Sequence, residues 1–121
     1  MIYLATVYSA GKKGEYKAGD TGTASKNLKT RRYRKACKKA AELMQQGNVV
    51  FSPIAHSHAV EVHGMKEIQT GDFWLSQDLE ILKRCDKLVV YKMEGWENSR
   101  GIKREIAFAE ANNIPIEFLD E

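Results

Sequence analysis

The chain has 121 residues, 43% of them hydrophobic and 29% charged, with two cysteines and a formal net charge of +3. That balance is ordinary for a soluble globular protein, and the length suits one domain whose modest core needs neither disulfide nor metal. No apolar run approaches the roughly 20 residues that cross a bilayer and no signal peptide precedes the first strand, so a membrane partner is not expected and a cytoplasmic location is.

The charge is unevenly spread. Residues 1–47 carry a balance of +8 and residues 48–121 a balance of −5. A basic front half fits nucleic acid, a phosphorylated small molecule, or simply a solvated helix face.

In chain order, Met1 to Tyr8 is apolar and β-prone and reads as a central strand. Residues 11–24 are polar and glycine-rich, a long loop expected to be either a lid or a surface excursion; neither GxxxxGK[ST] nor GxGxxG is present. Ser25 or Asn27 is placed to cap a helix that runs to Gln46 and stops at Gly47. Its apolar stripe is Tyr33, Ala36, Cys37, Ala40, Leu43 and Met44. Lys29, Arg31, Arg34, Lys35, Lys38 and Lys39 lie opposite. No aromatic residue interleaves with these charges, which makes nucleic acid a weak candidate partner.

Asn48 to Pro53 reads as the second strand; Ile54 to His58 follow, with His56 and His58, and then a loop through Gly64 and Gly71 that holds His63. An H-x-H pair on extended backbone would point both rings one way, but no carboxylate or cysteine follows at a spacing that fixes a metal geometry. No metal or cofactor is therefore expected, and His56 or His58 is assigned to substrate contact or to bracing a carboxylate. The two cysteines, Cys37 and Cys85, fall at apolar helix positions and read as free thiols.

From Asp72 to Ala109 the chain reads as helix, strand, glycine-bearing loop and helix in one unit. Asp72 is the expected cap of the first helix, and Phe73, Leu75, Leu79, Ile81 and Leu82 form its apolar set. Residues 87–91 are a short buried strand, and Gly95, Asn98, Ser99 and Gly101 break the pattern before the next helix. Such a unit makes a crevice at the strand's carboxyl end, where open α/β sheets bind ligands. Asp78 on the first helix and Glu105 on the second are placed for it. Residues 114–119 close the chain as a fourth strand, with Pro115 at its beginning. The alternation implies right-handed crossovers and a four-stranded parallel sheet, order 2-1-3-4, helices on both faces.

Several segments together resemble a known family nearly end to end. They are IYLATVYS, FSPIAHSH, CDKLVV, GWENSRG and EIAFA, in this order. The family is a phage and bacterial domain of unknown function within the nucleoside 2-deoxyribosyltransferase-like superfamily, of flavodoxin-like fold. Only residues 11–24 look inserted. The resemblance implies cleavage or transfer of the bond between a sugar C1′ and a nucleobase, on a nucleoside or 5′-nucleotide, by a hydrolase or transferase. It also implies a homo-oligomer, dimeric or larger, in the cytoplasm of a bacterium or a phage-infected host. By position in the motifs, Glu105 corresponds to the superfamily's nucleophile, Ser99 to its phosphate-binding serine, Asp78 to its helix aspartate and Tyr3 to its first-strand tyrosine. The sequence departs at Lys103, where a second glycine is usual, and at Thr6-Val7-Tyr8-Ser9, where the closer family usually reads S-P-Y-S.

The chemistry asks for these residue types. Breaking an N-glycosidic bond develops positive charge at C1′, which a carboxylate beneath it stabilises or bonds to. The leaving base needs a proton, which a second carboxyl such as Asp78 supplies if its pKa is raised. Asn98 to Gly101 offers backbone N–H groups and a hydroxyl at a helix start for phosphate. Tyr8, Ser9, His56, His58, Trp74, Gly95, Trp96, Ser99 and Gly101 are the expected substrate-binding set. The alternative is a catalytically silent domain that senses or sequesters a nucleotide derivative; retention of both carboxylates favours the enzyme.

Overall fold

A computed structural model of the chain describes residues 1–10, 25–67 and 70–121. The lid or surface-loop reading of residues 11–24 lies outside them. The centre of the sheet is set by two β-prone runs without polar interruption on either face. Ile2–Ala5 forms strand β1 and Lys87–Lys92 forms β3, paired in parallel with Ile2 opposite Lys87 and Ala5 opposite Val90. Leu4, Leu88 and Val90 are fully buried, because helices cover both faces of a parallel sheet.

The short strand β2, Val50–Phe51, pairs on the outer side of β1, and β4, Ile116–Asp120, pairs on the outer side of β3. All pairings are parallel and the order is β2-β1-β3-β4. This is the expected topology of a flavodoxin-like α/β fold. Both edges are muted: β2 has only two residues, and β4 carries the charged side chains Glu117 and Asp120 at exposed positions.

Helix α1, Lys26–Gln45, begins where the Ser25 hydroxyl accepts a hydrogen bond from the Leu28 amide at 3.2 Å. Its inward face carries Leu28, Arg32, Ala36 and Ala40. Arg32 is an unexpected member of that face, while Met44 is half-exposed rather than part of the stripe. The Arg32 guanidinium donates to the carbonyls of Tyr8 and Ala10 just beyond β1, and to that of Glu94 just beyond β3 at 3.2 Å. One buried cation thus ties together the two segments that leave the carboxyl ends of the central strands.

The region after β2 is the main correction. Residues 53–64 do not form a loop; they form helix α2, Pro53–Gly64. Ser52 caps it, its hydroxyl accepting from the Ala55 amide at 3.3 Å, and Pro53 occupies the first turn, where its missing N–H costs nothing. Helix α3, Gly71–Leu82, then starts at Thr70 rather than Asp72; the Thr70 hydroxyl accepts from the Phe73 amide. Asp72 sits in the first turn as a favourable anion. Beyond β3, Gly95 adopts a left-handed conformation with φ of 92°, which lets the chain turn into a short 3₁₀ segment, Trp96–Asn98. Helix α4, Arg100–Ala111, follows, capped by Ser99.

Two smaller boundaries also shift. The first strand ends at Ala5, three residues earlier than its apolar run, and the last begins at Ile116, two residues later. Cys85 is buried just past α3, with its thiol on the Ile81 carbonyl, and Cys37 is half-buried; both are free.

Candidate active site

The carboxyl ends of β1 and β3 open into a cavity of about 480 Å³ walled by helices α2, α3 and α4. Each wall is a helical stripe. From α3 come Gly71, Trp74, Leu75 and Asp78, and from α4 come Gly101, Ile102 and Glu105, spaced three and four residues apart so that they share a face. From α2 come Ile54, Ser57, His58 and Glu61. That helix is built inside out for a scaffold element: its cavity stripe is largely polar, while Val60 and Val62 face solvent.

The floor holds two carboxyl groups. Glu105 is 5% exposed and Asp78 is 8% exposed. Burial drives both pKa values upward, Asp78 to about 7 and Glu105 to about 8, and the Asp78 charge adds to the rise at Glu105. The Tyr3 hydroxyl lies beneath the cavity on β1 and donates a hydrogen bond to Glu105 Oε2, which favours the ionised carboxylate and opposes the burial effect. Among the described residues no Lys or Arg offsets either charge. Two like groups in one desolvated site cannot both ionise readily, so the pair holds a proton through the neutral range. Tyr3, buried against both, has its own ionisation pushed well above the ordinary value.

Ser99 ends the β3-to-α4 connection. Its hydroxyl accepts from the Ile102 amide at 3.1 Å and it lines the cavity beside Asn98 and Gly101. Arg100 stands at the rim, 3.7 Å from Asp72, and Arg104 donates to the same Asp72 carboxylate at 3.2 Å, so an ion-pair cluster joins α3 to α4 over the site.

The opposite end is aromatic. The His58 ring stacks on Tyr33 with centroids 3.9 Å apart, and His58 Nδ1 shares a 2.7 Å hydrogen bond with the Tyr8 hydroxyl. Burial lowers the His58 pKa, which favours the neutral ring. Lys29 Nζ sits 5.7 Å from the Tyr8 ring centre, and the Trp74 indole N–H donates to Glu61 Oε2 at 2.9 Å.

Of the residues expected from the sequence, Tyr8, Ser9, His58, Trp74, Asp78, Ser99, Gly101 and Glu105 meet at this one cavity. Tyr3 underlies it. His56 does not reach it: on a helix, residues two apart point to different sides, and His56 is exposed beside the Phe51 ring at 5.6 Å. The shared direction expected of an H-x-H pair on extended backbone therefore does not exist. Trp96 packs on Phe118 at 5.9 Å, away from the cavity, and Gly95 serves the turn behind it. Among the described residues no group of three His, Cys, Asp or Glu side chains converges as metal ligands would.

Sequence reasoning missed Thr6, Lys29, Ser57 and Glu61 as cavity residues. Two of them, Ser57 and Glu61, depend on recognising α2. The signal was present: Ser52 followed by Pro53 is a helix start, a small capping hydroxyl and then a proline in the first turn. The Thr6 and Ser57 hydroxyls are buried without a hydrogen-bond partner among the described residues.

A doubly covered parallel sheet with a cavity and a buried carboxyl pair at its carboxyl edge is an α/β domain whose cavity lies where open α/β sheets bind ligands. A family model describing a domain of unknown function, DUF1937, matches residues 1–121, and the chain belongs to that family. No curated protein gives a significant match. Within the described residues no helix is long and apolar enough to cross a membrane.

Proposed function

We propose that this domain cleaves or transfers the bond between a sugar C1′ and a nucleobase on a nucleoside or 5′-nucleotide. The observation that carries the reading is the buried pair: Glu105 held by Tyr3 and Asp78 alongside, both lining one cavity with no compensating cation among the described residues. Such a pair stabilises a cation developing away from water and supplies a proton near neutral pH. The resemblance of the motifs to the nucleoside 2-deoxyribosyltransferase-like superfamily supports the same reading.

Glu105 is the nucleophile in this proposal. A ligand seated with C1′ against its carboxylate develops positive charge there as the glycosidic bond lengthens. That charge, with the Tyr3 hydrogen bond, favours ionised Glu105 and leaves the shared proton on Asp78. Asp78 then protonates the leaving base. Burial raises both carboxyls, so the two roles separate only as the reaction proceeds. A water or a second acceptor hydroxyl completes hydrolysis or transfer. The first turn of α4, with the Ser99 hydroxyl and Arg100 nearby, is the place for a 5′-phosphate.

Incubation with a panel of nucleosides and 5′-nucleotides, followed by chromatography for free base, tests the proposal. Release of base from at least one member is expected. Tight binding without turnover across the panel would replace the enzyme with a nucleotide-sequestering domain.

A further inference from the structure

The cavity has two electrostatic ends. The Asp78 charge acts on Glu105 at the floor, whereas the Glu61 charge acts on Tyr8 and His58 at the mouth. Glu61 is half-buried on the cavity stripe of α2, and among the described residues only one of its oxygens is engaged by a hydrogen bond, Oε2 by the Trp74 indole at 2.9 Å. No ion pair to it is formed among the described residues, although Lys29 lines the same cavity. The indole bond fixes the carboxylate between α2 and α3, and leaves Oε1 as a hydrogen-bond acceptor at the aromatic end.

If C1′ lies at the buried floor, the base attached to it extends toward the half-buried end, where Tyr8 and Trp74 offer faces for stacking. A carboxylate there discriminates. It accepts from an exocyclic amino group and repels a carbonyl oxygen at the same ring position, as acidic side chains accept from the cytosine amino group in nucleic-acid recognition. We infer that Glu61, positioned by Trp74, reads the base edge of the ligand and makes the site selective for an amino-bearing nucleobase of the adenine or cytosine type over its oxo counterpart. This rests on the glycosidic reading above, and it names the substrate class that reading leaves open.

The test compares kcat/KM for base release from adenosine 5′-phosphate against inosine 5′-phosphate, and from cytidine 5′-phosphate against uridine 5′-phosphate. Wild type, Glu61→Gln and Trp74→Phe are used, each shown to be folded by its thermal melt. Wild type favours the amino member of at least one pair by about tenfold or more, the usual scale when a charge-assisted hydrogen bond stands in place of a repulsion. In Glu61→Gln that ratio falls to within about twofold of one, because the amide can present either a donor or an acceptor. Trp74→Phe keeps an aromatic ring but frees the carboxylate, and lowers the ratio part way. A wild-type ratio at or below one overturns the inference, as does a Glu61→Gln variant that loses both members of a pair equally. If no nucleotide releases base, the glycosidic reading fails separately, and equilibrium titration of the same four nucleotides decides for Glu61. Tighter binding of the amino member, lost in Glu61→Gln, upholds its role; equal binding, or none, overturns it.

Discussion

At the scale of single residues the site is defined by carboxyl groups that resist ionisation. Glu105 and Asp78 have pKa values raised by burial, to about 8 and about 7. The folded protein therefore binds their protons more tightly than the unfolded chain does. Their contribution to stability is complete below the ordinary carboxyl range and is lost progressively as pH rises from there through 7 to 8, then stays flat above. Glu105→Gln keeps an acceptor for the Tyr3 hydroxyl and removes the titration. Its melting temperature should fall less than that of wild type between pH 5 and pH 9, with the variant the more stable at pH 9 by on the order of a few kcal/mol. Parallel melting curves across that range would contradict the burial argument. The orphaned Ser57 hydroxyl makes a second prediction. Ser57→Ala removes an unsatisfied buried group and should raise the stability of the free protein by about 1 kcal/mol in denaturant unfolding. A loss of similar size would mean that the hydroxyl has a partner in solution.

These residues differ in how readable they are. Glu105 and Asp78 can be placed because each stands at a defined step of a helix flanking an unmistakable strand, and helical periodicity then fixes the face. Thr6 and Ser57 cannot, since a threonine at a strand end and a serine in an undetected helix carry no pattern of their own. Trp96 misleads for a related reason. A tryptophan after a glycine-bearing loop reads as a pocket wall, yet the left-handed Gly95 turns the chain so that the indole covers Phe118 on the edge strand.

At the scale of elements, α2 decides the shape of the site. Its residues read as a strand end and a loop because Phe51 and Ser52, just before it, continue the β-prone run of Val49 and Val50, and its three histidines look irregular. The helix closes the cavity with the side of it that is polar, so the usual apolar stripe that announces a helix is weak there. Helix α4 is far easier to read, with a capping serine and an apolar face at Ile102 and Ala109. Its second residue, Gly101, faces the cavity, and an added methyl would meet only the Ser99 hydroxyl at 3.8 Å. Gly101→Ala should leave the fold intact, or stabilise it by about 0.4–1 kcal/mol through the unfolded chain. It should also weaken ligand binding, because the methyl takes up space above Glu105. A thermal melt read beside a binding titration checks both; unchanged affinity would move the ligand away from the start of α4.

At the scale of the whole molecule, the parallel order β2-β1-β3-β4 brings residues from just beyond the first strand and from four helices to one edge. That order is legible because two fully apolar runs must be central in a parallel sheet and right-handed crossovers leave few alternatives. The front-half positive charge is legible too, but its partition is not. Lys35 pairs with Glu121 at 2.6 Å, joining the basic helix to the acidic end of the chain, so part of the asymmetry is internal. Arg32 is 3% exposed and is spent on backbone carbonyls beyond β1 and β3. It holds Tyr8 to Ala10 where the cavity needs them. Arg32→Ala should destabilise the domain by about 2–4 kcal/mol in denaturant unfolding, and Arg32→Lys should recover little, since an ammonium lacks the planar fork that reaches several carbonyls at once. A cost below about 0.5 kcal/mol would show that the clamp is dispensable.

The central claim is that Glu105 attacks C1′ while Asp78 protonates the departing base, and free base released over time by wild type, Glu105→Ala and Asp78→Asn tests it most directly. The measurement uses one natural substrate from the panel and one analogue with an activated leaving group. Wild type should turn over both, and Glu105→Ala neither, while still binding them, because a nucleophile acts mainly in the transition state. Asp78→Asn should lose the natural substrate far more than the activated one, which needs little protonation. Wild-type turnover retained in Glu105→Ala would contradict the account.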